Sequence, residues 1–109
     1  TVEINVTTLD KYCEERGIGN IDIVKVDIEG AELDFLKGAT GIINKSKNLI
    51  IIMEIVEENC IAAGYTGEEL YKYVVDLGFA AYLPKPWPFG MKKIERLPEH
   101  YHDNIIFMK

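Results

Sequence analysis

The segment Asn48-Leu49-Ile50-Ile51-Ile52-Met53-Glu54-Ile55 narrows the possible folds more than any other feature of the chain. It is a near-continuous apolar run of strand length, the signature of a central β-strand covered on both faces. A strand of that kind needs helices above and below it, and helical patterns both precede and follow the run. The chain therefore reads as an α/β protein: strands alternating with helices give a parallel or mixed sheet with helices on its faces.

The remaining elements are placed by their caps and periodicities. Val2, Ile4 and Val6 alternate with polar residues as a short half-exposed strand, and Thr7 or Thr8 then caps a helix running to about Arg16 and ended by Gly17. Ile21 to Asp27 is rich in β-branched residues and reads as an interior strand. Ala31, Phe35, Leu36 and Ala39 follow at helical spacing, with a further short turn around Ile42 and Ile43. Thr66 and Glu69 form a capping box for a helix through Leu70, Tyr73, Val74 and Leu77, stopped by Gly78. Tyr65, Tyr71 and Tyr73 read as packing residues on that side of the sheet. Phe79 to Leu83 is a third sheet strand, the proline-rich stretch from Pro84 to Gly90 is a loop, and Asn104 to Met108 is a last strand returning antiparallel.

Composition limits the partners. The 109 residues suit one domain, and 48% hydrophobic content is enough for a real core. A formal charge of −6 repels a phosphate backbone, so nucleic acid is excluded as a partner. The longest apolar run, Leu49 to Met53, is too short to cross a bilayer, and the start of the chain is polar. A soluble, cytoplasmic protein without membrane contact is expected. Cys13 and Cys60 belong to no metal-like or redox-like pair and read as buried free thiols.

In open sheets of this class ligands bind outside the carboxyl ends of the strands, and Asp27 and Glu54 both fall at that edge. Asp27, Glu29 and Glu32 lie within six residues at a helix start. Caps and the helix dipole alone can account for Glu29 and Glu32. Asp27 at the end of a buried strand costs desolvation unless something pairs with it. A helix N-terminus welcomes anions, but this many carboxylates cancels that attraction. The cluster suits a cationic ligand, or the hydrogen bonding and deprotonation of a hydroxyl or amine. A divalent metal on Asp27 and Glu54 is the less favoured reading, because two carboxylates do not define a site. Gly30 fits a backbone that turns sharply or approaches a ligand closely.

The string Val24-Lys25-Val26-Asp27-Ile28-Glu29-Gly30-Ala31-Glu32, preceded by Thr8-Leu9-Asp10 and followed by Leu36-Lys37-Gly38-Ala39, resembles the FkbM-type family of S-adenosylmethionine-dependent methyltransferases. Ile52-Met53-Glu54, Gly78-Phe79 and Asn104-Ile105-Ile106-Phe107 continue the match in order. The resemblance implies a class I, Rossmann-like methyltransferase fold. The strand ending at Asp27 would be its fourth, the strand ending at Glu54 its fifth, and Asn104 to Met108 its antiparallel seventh. It also implies O-methyl transfer to a hydroxyl of a sugar or secondary metabolite as the small-molecule acceptor. Asp27, Glu29 and Glu54 would be the catalytic residues, with Asp27 and Gly30 beside the cofactor, S-adenosyl-L-methionine.

That fold opens with a strand and a glycine-rich turn that holds the methionine part of the cofactor. No G-x-G pattern follows a strand in these 109 residues, so the chain reads as a single partial domain, the C-terminal half without the cofactor-binding half. The strand at Ile21 to Asp27 would then be an exposed edge, and a homodimer covering it or the apolar helix faces beside it is expected. The competing reading is a non-catalytic α/β interaction module that dimerises, its carboxylates consumed by caps and lysine pairs. His100 and His102 flank Tyr101 and lack a third metal ligand, which makes them a surface turn. Trp87 and Phe89 could wall an acceptor pocket or pack over the sheet end.

Overall fold

The computed structural model describes residues 8–85, 90–98 and 102–109. Its elements are helix α1 (Leu9–Glu15), strand β1 (Ile23–Val26), helices α2 (Glu32–Lys37) and α3 (Thr40–Lys45), strand β2 (Ile50–Val56), helices α4 (Glu57–Ala62) and α5 (Gly67–Asp76), and strands β3 (Ala80–Lys85), β4 (Gly90–Ile94) and β5 (His102–Met108). The five strands form one mixed sheet in the order β1-β2-β5-β3-β4. β1 runs parallel to β2, β5 is antiparallel to both β2 and β3, and β4 is antiparallel to β3. The alternation at Val2, Ile4 and Val6, and the residues Trp87, Phe89, His100 and Tyr101, lie outside the described residues.

Side-chain caps set the helix starts. The Lys11 N–H donates to Thr8 Oγ1 at 3.1 Å at the head of α1, and the Glu69 N–H donates to Thr66 Oγ1 at 3.1 Å at the head of α5. α3 is capped from outside its own segment. Asp10 of α1 accepts from the N–H groups of Gly41 and Ile42 at 2.9 and 2.8 Å, while its own N–H donates to the Gly38 carbonyl at 3.0 Å. The separated strings Thr8-Leu9-Asp10 and Leu36-Lys37-Gly38-Ala39 are thus one joint between α1, α2 and α3.

The sheet departs from expectation in its cover. Ile51, Met53 and Ile55 of β2 are fully buried and share one core with Val26, Leu36, Ile43, Cys60, Leu70 and Phe107. Ile50, Ile52, Glu54 and Val56, on the alternate face, are only half-buried. Register carries that face across the sheet: Ile50 pairs with Met108 and Ile52 with Ile106, both also half-buried. β2 is therefore flanked by strands on both sides but covered on one face among the described residues. Among the described residues β1 is not interior either; it is the edge strand there, and Ile23 is 63% exposed.

Two further elements differ from the sequence reading. Residues 57–62 form α4, whose six residues carry no capping side chain and no apolar period to announce it. Pro84 and Lys85 extend β3 rather than opening a loop, and Gly90 already belongs to β4, with Pro84 opposite Met91. Beyond Tyr82, β3 no longer pairs with β5, so Pro84 lies where the strand has a neighbour on one side only and a proline is tolerated. Cys13 and Cys60 are free and buried, as expected. Among the described residues no helix is long and apolar enough to cross a membrane.

Candidate functional site

β1 ends at Val26, and the chain turns through Asp27, Ile28, Glu29 and Gly30 before entering α2. The turn is strained. Glu29 adopts φ +48°, a left-handed conformation uncommon for a residue with a side chain, and Gly30 follows at φ +107°. A Cβ at position 30 would lie 2.9 Å from the Asn59 carbonyl oxygen of α4, so both the dihedral and the close backbone require glycine there.

Two side chains hold the turn in this shape. The carboxylate of Glu32, itself only 3% exposed, reaches back and accepts from the Ile28 and Gly30 N–H groups, each at 3.0 Å. The Tyr65 hydroxyl donates to the Gly30 carbonyl at 2.5 Å. The Ile28 and Gly30 amides and the Gly30 carbonyl are thereby satisfied within the protein. Backbone strain of this kind costs about 1–3 kcal/mol per residue and persists only where the surroundings over-determine it, as they do here.

The other carboxylates are uncommitted. Asp27 and Glu29 are exposed and Glu54 is half-buried. None of the three has a side-chain hydrogen bond or ion pair among the described residues. Val26 pairs with Met53, so Asp27 and Glu54 stand at the next register position; Asp27 lies just past the end of β1, but Glu54 is not at the end of its strand as expected, because β2 runs on through Ile55 and Val56 paired with β5. Glu54 also lies opposite Asn104 of β5. Glu32 does not join them, because its carboxylate is spent inside the turn. Among the described residues no group of three or more His, Cys, Asp or Glu side chains could hold a metal ion. His102 lies on β5 and is exposed.

Beside the turn opens a cavity of about 730 Å³ whose walls include Leu9, Tyr12, Ile28, Ala31 and Phe35. Sequence reasoning found none of these as lining residues. Ile28 and Tyr12 are 44% and 40% exposed, and only the fold reveals that they face a common space. Tyr65, read as packing, also proves to hold the turn.

Burial tunes two groups behind the turn. The Cys60 thiol is pushed up from its ordinary 9.0 to about 11, chiefly by burial and then by the charges of Glu32 and Glu57. Burial pushes Tyr65 from 10.0 to about 12. In the unfolded chain both groups lose their protons at lower pH than in the fold. Stability is therefore expected to be unaffected by them below pH 9, and to fall as pH rises through 9 toward 12. Thermal melts from pH 8 upward check this, and a flat midpoint between pH 9 and 11 would contradict it.

The strain at Glu29 has its own expected result. Glu29→Gly removes a left-handed penalty of about 1–3 kcal/mol and adds about 0.5–1 kcal/mol of unfolded-state entropy, for a net gain near 1 kcal/mol. Urea denaturation should show the variant more stable than the parent. Lower stability would mean that the Glu29 side chain makes a compensating contact.

A sequence profile of the Methyltransferase FkbM domain matches residues 1–80, a span that includes the strained turn, Glu54 and the joint between α1 and α3. The chain belongs to the FkbM methyltransferase family. No curated protein and no solved structure gives a significant match. The family match ends at the first residue of β3, so β4 and β5 stand on the structure alone.

Proposed function

We propose that these residues form the acceptor side of an S-adenosylmethionine-dependent O-methyltransferase acting on a hydroxyl of a small molecule, a sugar or secondary metabolite. The observation that carries the reading is the contrast within one turn. Glu32 is consumed in fixing the backbone, whereas Asp27 and Glu29 past the end of β1 and Glu54 beside them on β2 have no side-chain partner among the described residues. A module whose carboxylates served only as caps and lysine pairs would leave none of them uncommitted. Membership of the methyltransferase family adds the reaction class.

The residues present suit the implied cofactor in charge. S-adenosyl-L-methionine carries a sulfonium cation, and uncompensated carboxylates beside it are electrostatically favourable. When bound it supplies an electrophilic methyl group. Asp27, in this reading, accepts a hydrogen bond from the acceptor hydroxyl and takes its proton, while Glu54 and Glu29 orient the acceptor from either side. Gly30 lets the turn close against α4, where a Cβ would meet the Asn59 carbonyl, and so fixes where Asp27 and Glu29 stand. The apolar cavity lined by Tyr12 and Phe35 gives room for the organic body of a bound ligand. The reading includes a cytoplasmic setting, where thiols such as Cys13 and Cys60 stay reduced.

The cofactor cradle itself is not made by these residues. The only G-x-G, Gly17-Ile18-Gly19, follows helix α1 rather than a strand. The reading accordingly treats this domain as partial. The 109-residue chain is expected to bind S-adenosyl-L-methionine weakly or not at all by titration calorimetry. Micromolar binding would overturn the partial-domain reading. The function is tested with the chain supplied with its cradle: transfer of a labelled methyl group to hydroxyl acceptors supports the proposal, and transfer only to amines or thiols rejects it.

A further inference from the structure

We propose that Tyr65 is a positioning residue for this site: its hydroxyl, presented by the C-terminal turn of α4, holds Glu29 in its left-handed conformation and so sets where that carboxylate stands. The inference rests on the acceptor-side reading above. Glu32 and Tyr65 both bind the turn, but from different distances along the chain. Glu32 lies within four residues of the amides it holds, so it shapes the turn from inside. Tyr65 lies 35 residues beyond Gly30, and its hydrogen bond of 2.5 Å ties the turn to a separate part of the fold.

That part is continuous with the strand carrying Glu54. β2 ends at Val56 and passes directly into α4 at Glu57. α4 closes at its far end with two backbone bonds: the Gly64 N–H donates to the Ile61 carbonyl at 3.1 Å, and the Tyr65 N–H to the Cys60 carbonyl at 3.0 Å. This is the double closure of a Schellman turn, with Gly64 at φ +98° in the left-handed place. The residue after such a glycine leaves the helix in a fixed direction, and here it is Tyr65. A continuous path therefore runs from Glu54 through α4 to the Tyr65 hydroxyl, and from there to the Gly30 carbonyl beside Glu29.

The turn needs such a tie because its own strain opposes its shape. Glu29 at φ +48° gains by returning to a right-handed conformation, and the glycine after it is the neighbour with the freedom to permit that. The peptide following Gly30 is otherwise held only by its Ala31 N–H, which donates to the Ile28 carbonyl at 3.3 Å. Tyr65 pins the carbonyl of the same peptide. Tyr65→Phe removes the pin but keeps the ring, which packs against the core. Relaxation of Glu29 then redirects its Cα–Cβ bond, and the carboxylate leaves its place while the fold survives. A misplacement of about 1 Å at a reacting site costs up to about a hundredfold in rate.

The test is methyl transfer by the domain supplied with its cofactor cradle, beside hydrogen exchange and thermal melts of the 109-residue chain. Tyr65→Phe should lower kcat/KM for the acceptor roughly tenfold, and should speed exchange at the Gly30 amide but not in β2. In a Glu29→Gln background it should cost almost nothing further, since Tyr65 acts through Glu29. Two glycine variants separate aim from stability. Gly64→Ala and Gly78→Ala, the latter at φ +104° behind α5, both place a Cβ with nothing within 4 Å, so each costs its dihedral alone. Both should lower the melting midpoint alike, and only Gly64→Ala should slow transfer. Full efficiency in Tyr65→Phe, an undiminished loss in the Glu29→Gln background, or equal slowing by the two glycine variants would overturn the proposal. If Asp27→Asn still slowed transfer in that case, the acceptor-side reading would stand without it. Absence of transfer to any hydroxyl would overturn both.

Discussion

Glu32→Ala is expected to lower the unfolding free energy by about 3–4 kcal/mol. The Glu32 carboxylate accepts two backbone N–H groups at 3.0 Å and is almost entirely removed from water. Hydrogen bonds to a charged acceptor contribute about 1.5–3 kcal/mol each, and a buried donor left unmade costs a further 1–3 kcal/mol. The Gly30 amide is buried, so water cannot replace the lost oxygen there. Against these terms stands the desolvation of the carboxylate itself, which alanine relieves and which keeps the net below the sum. Losses of this size are a large part of the 5–15 kcal/mol that holds a typical domain.

Glu32→Gln separates the two contributions. Its amide oxygen can accept one N–H, but its NH2 group faces the other donor, so roughly half of the alanine loss should remain. Urea unfolding midpoints for the parent, glutamine and alanine forms should fall in that order with an unchanged slope. Equal midpoints for parent and alanine would show that the turn keeps its shape without the carboxylate, and the account of the strained turn would fail with it.

What the sequence disclosed and what it concealed divide along the range of the interactions. Thr8, the Thr66–Glu69 box and the apolar run of β2 act within a few residues of themselves, and each lies where local patterning puts it. The antiparallel course of the last strand was also legible. α4 was not, because Glu57–Ala62 is short and is held by what surrounds it, including Glu57 accepting from the Gly67 N–H at 3.0 Å. β4 was hidden by the prolines before it and by its exposed residues, which lack the apolar alternation of a half-buried strand. The half-covered sheet is a property of the assembly of helices, and no run of β2 residues can report it.

The site shows the same division. Asp27, Glu29 and Glu54 were identifiable as neighbouring carboxylates, and register does put Asp27 and Glu54 at matching positions, although β2 runs two residues past Glu54. That Glu32 faces inward, that Glu29 is strained and that Tyr65 ties down Gly30 depend on contacts between α2, α4 and the turn. Local rules treat Glu32 as one more acid in a first helical turn. Its burial distinguishes it from its neighbours.

Asp27→Asn is the second large effect, and it falls on activity rather than stability. Asp27 is exposed and makes no side-chain hydrogen bond or ion pair among the described residues, so the fold loses nothing measurable when its charge is removed. A positioned carboxylate that takes a proton in the transition state contributes about 10²–10⁴-fold. Asparagine keeps the size and can still contact a hydroxyl, but it cannot accept the proton. The loss should therefore appear in kcat, with the acceptor KM changed little.

The decisive measurement is methyl transfer by the domain supplied with its cofactor cradle, parent against Asp27→Asn, with thermal melts run in parallel. The account predicts a fall in kcat of about a hundredfold or more with the melting temperature unchanged. Unchanged turnover in the variant would contradict it, because Asp27 would then be an idle residue on a turn built for another purpose.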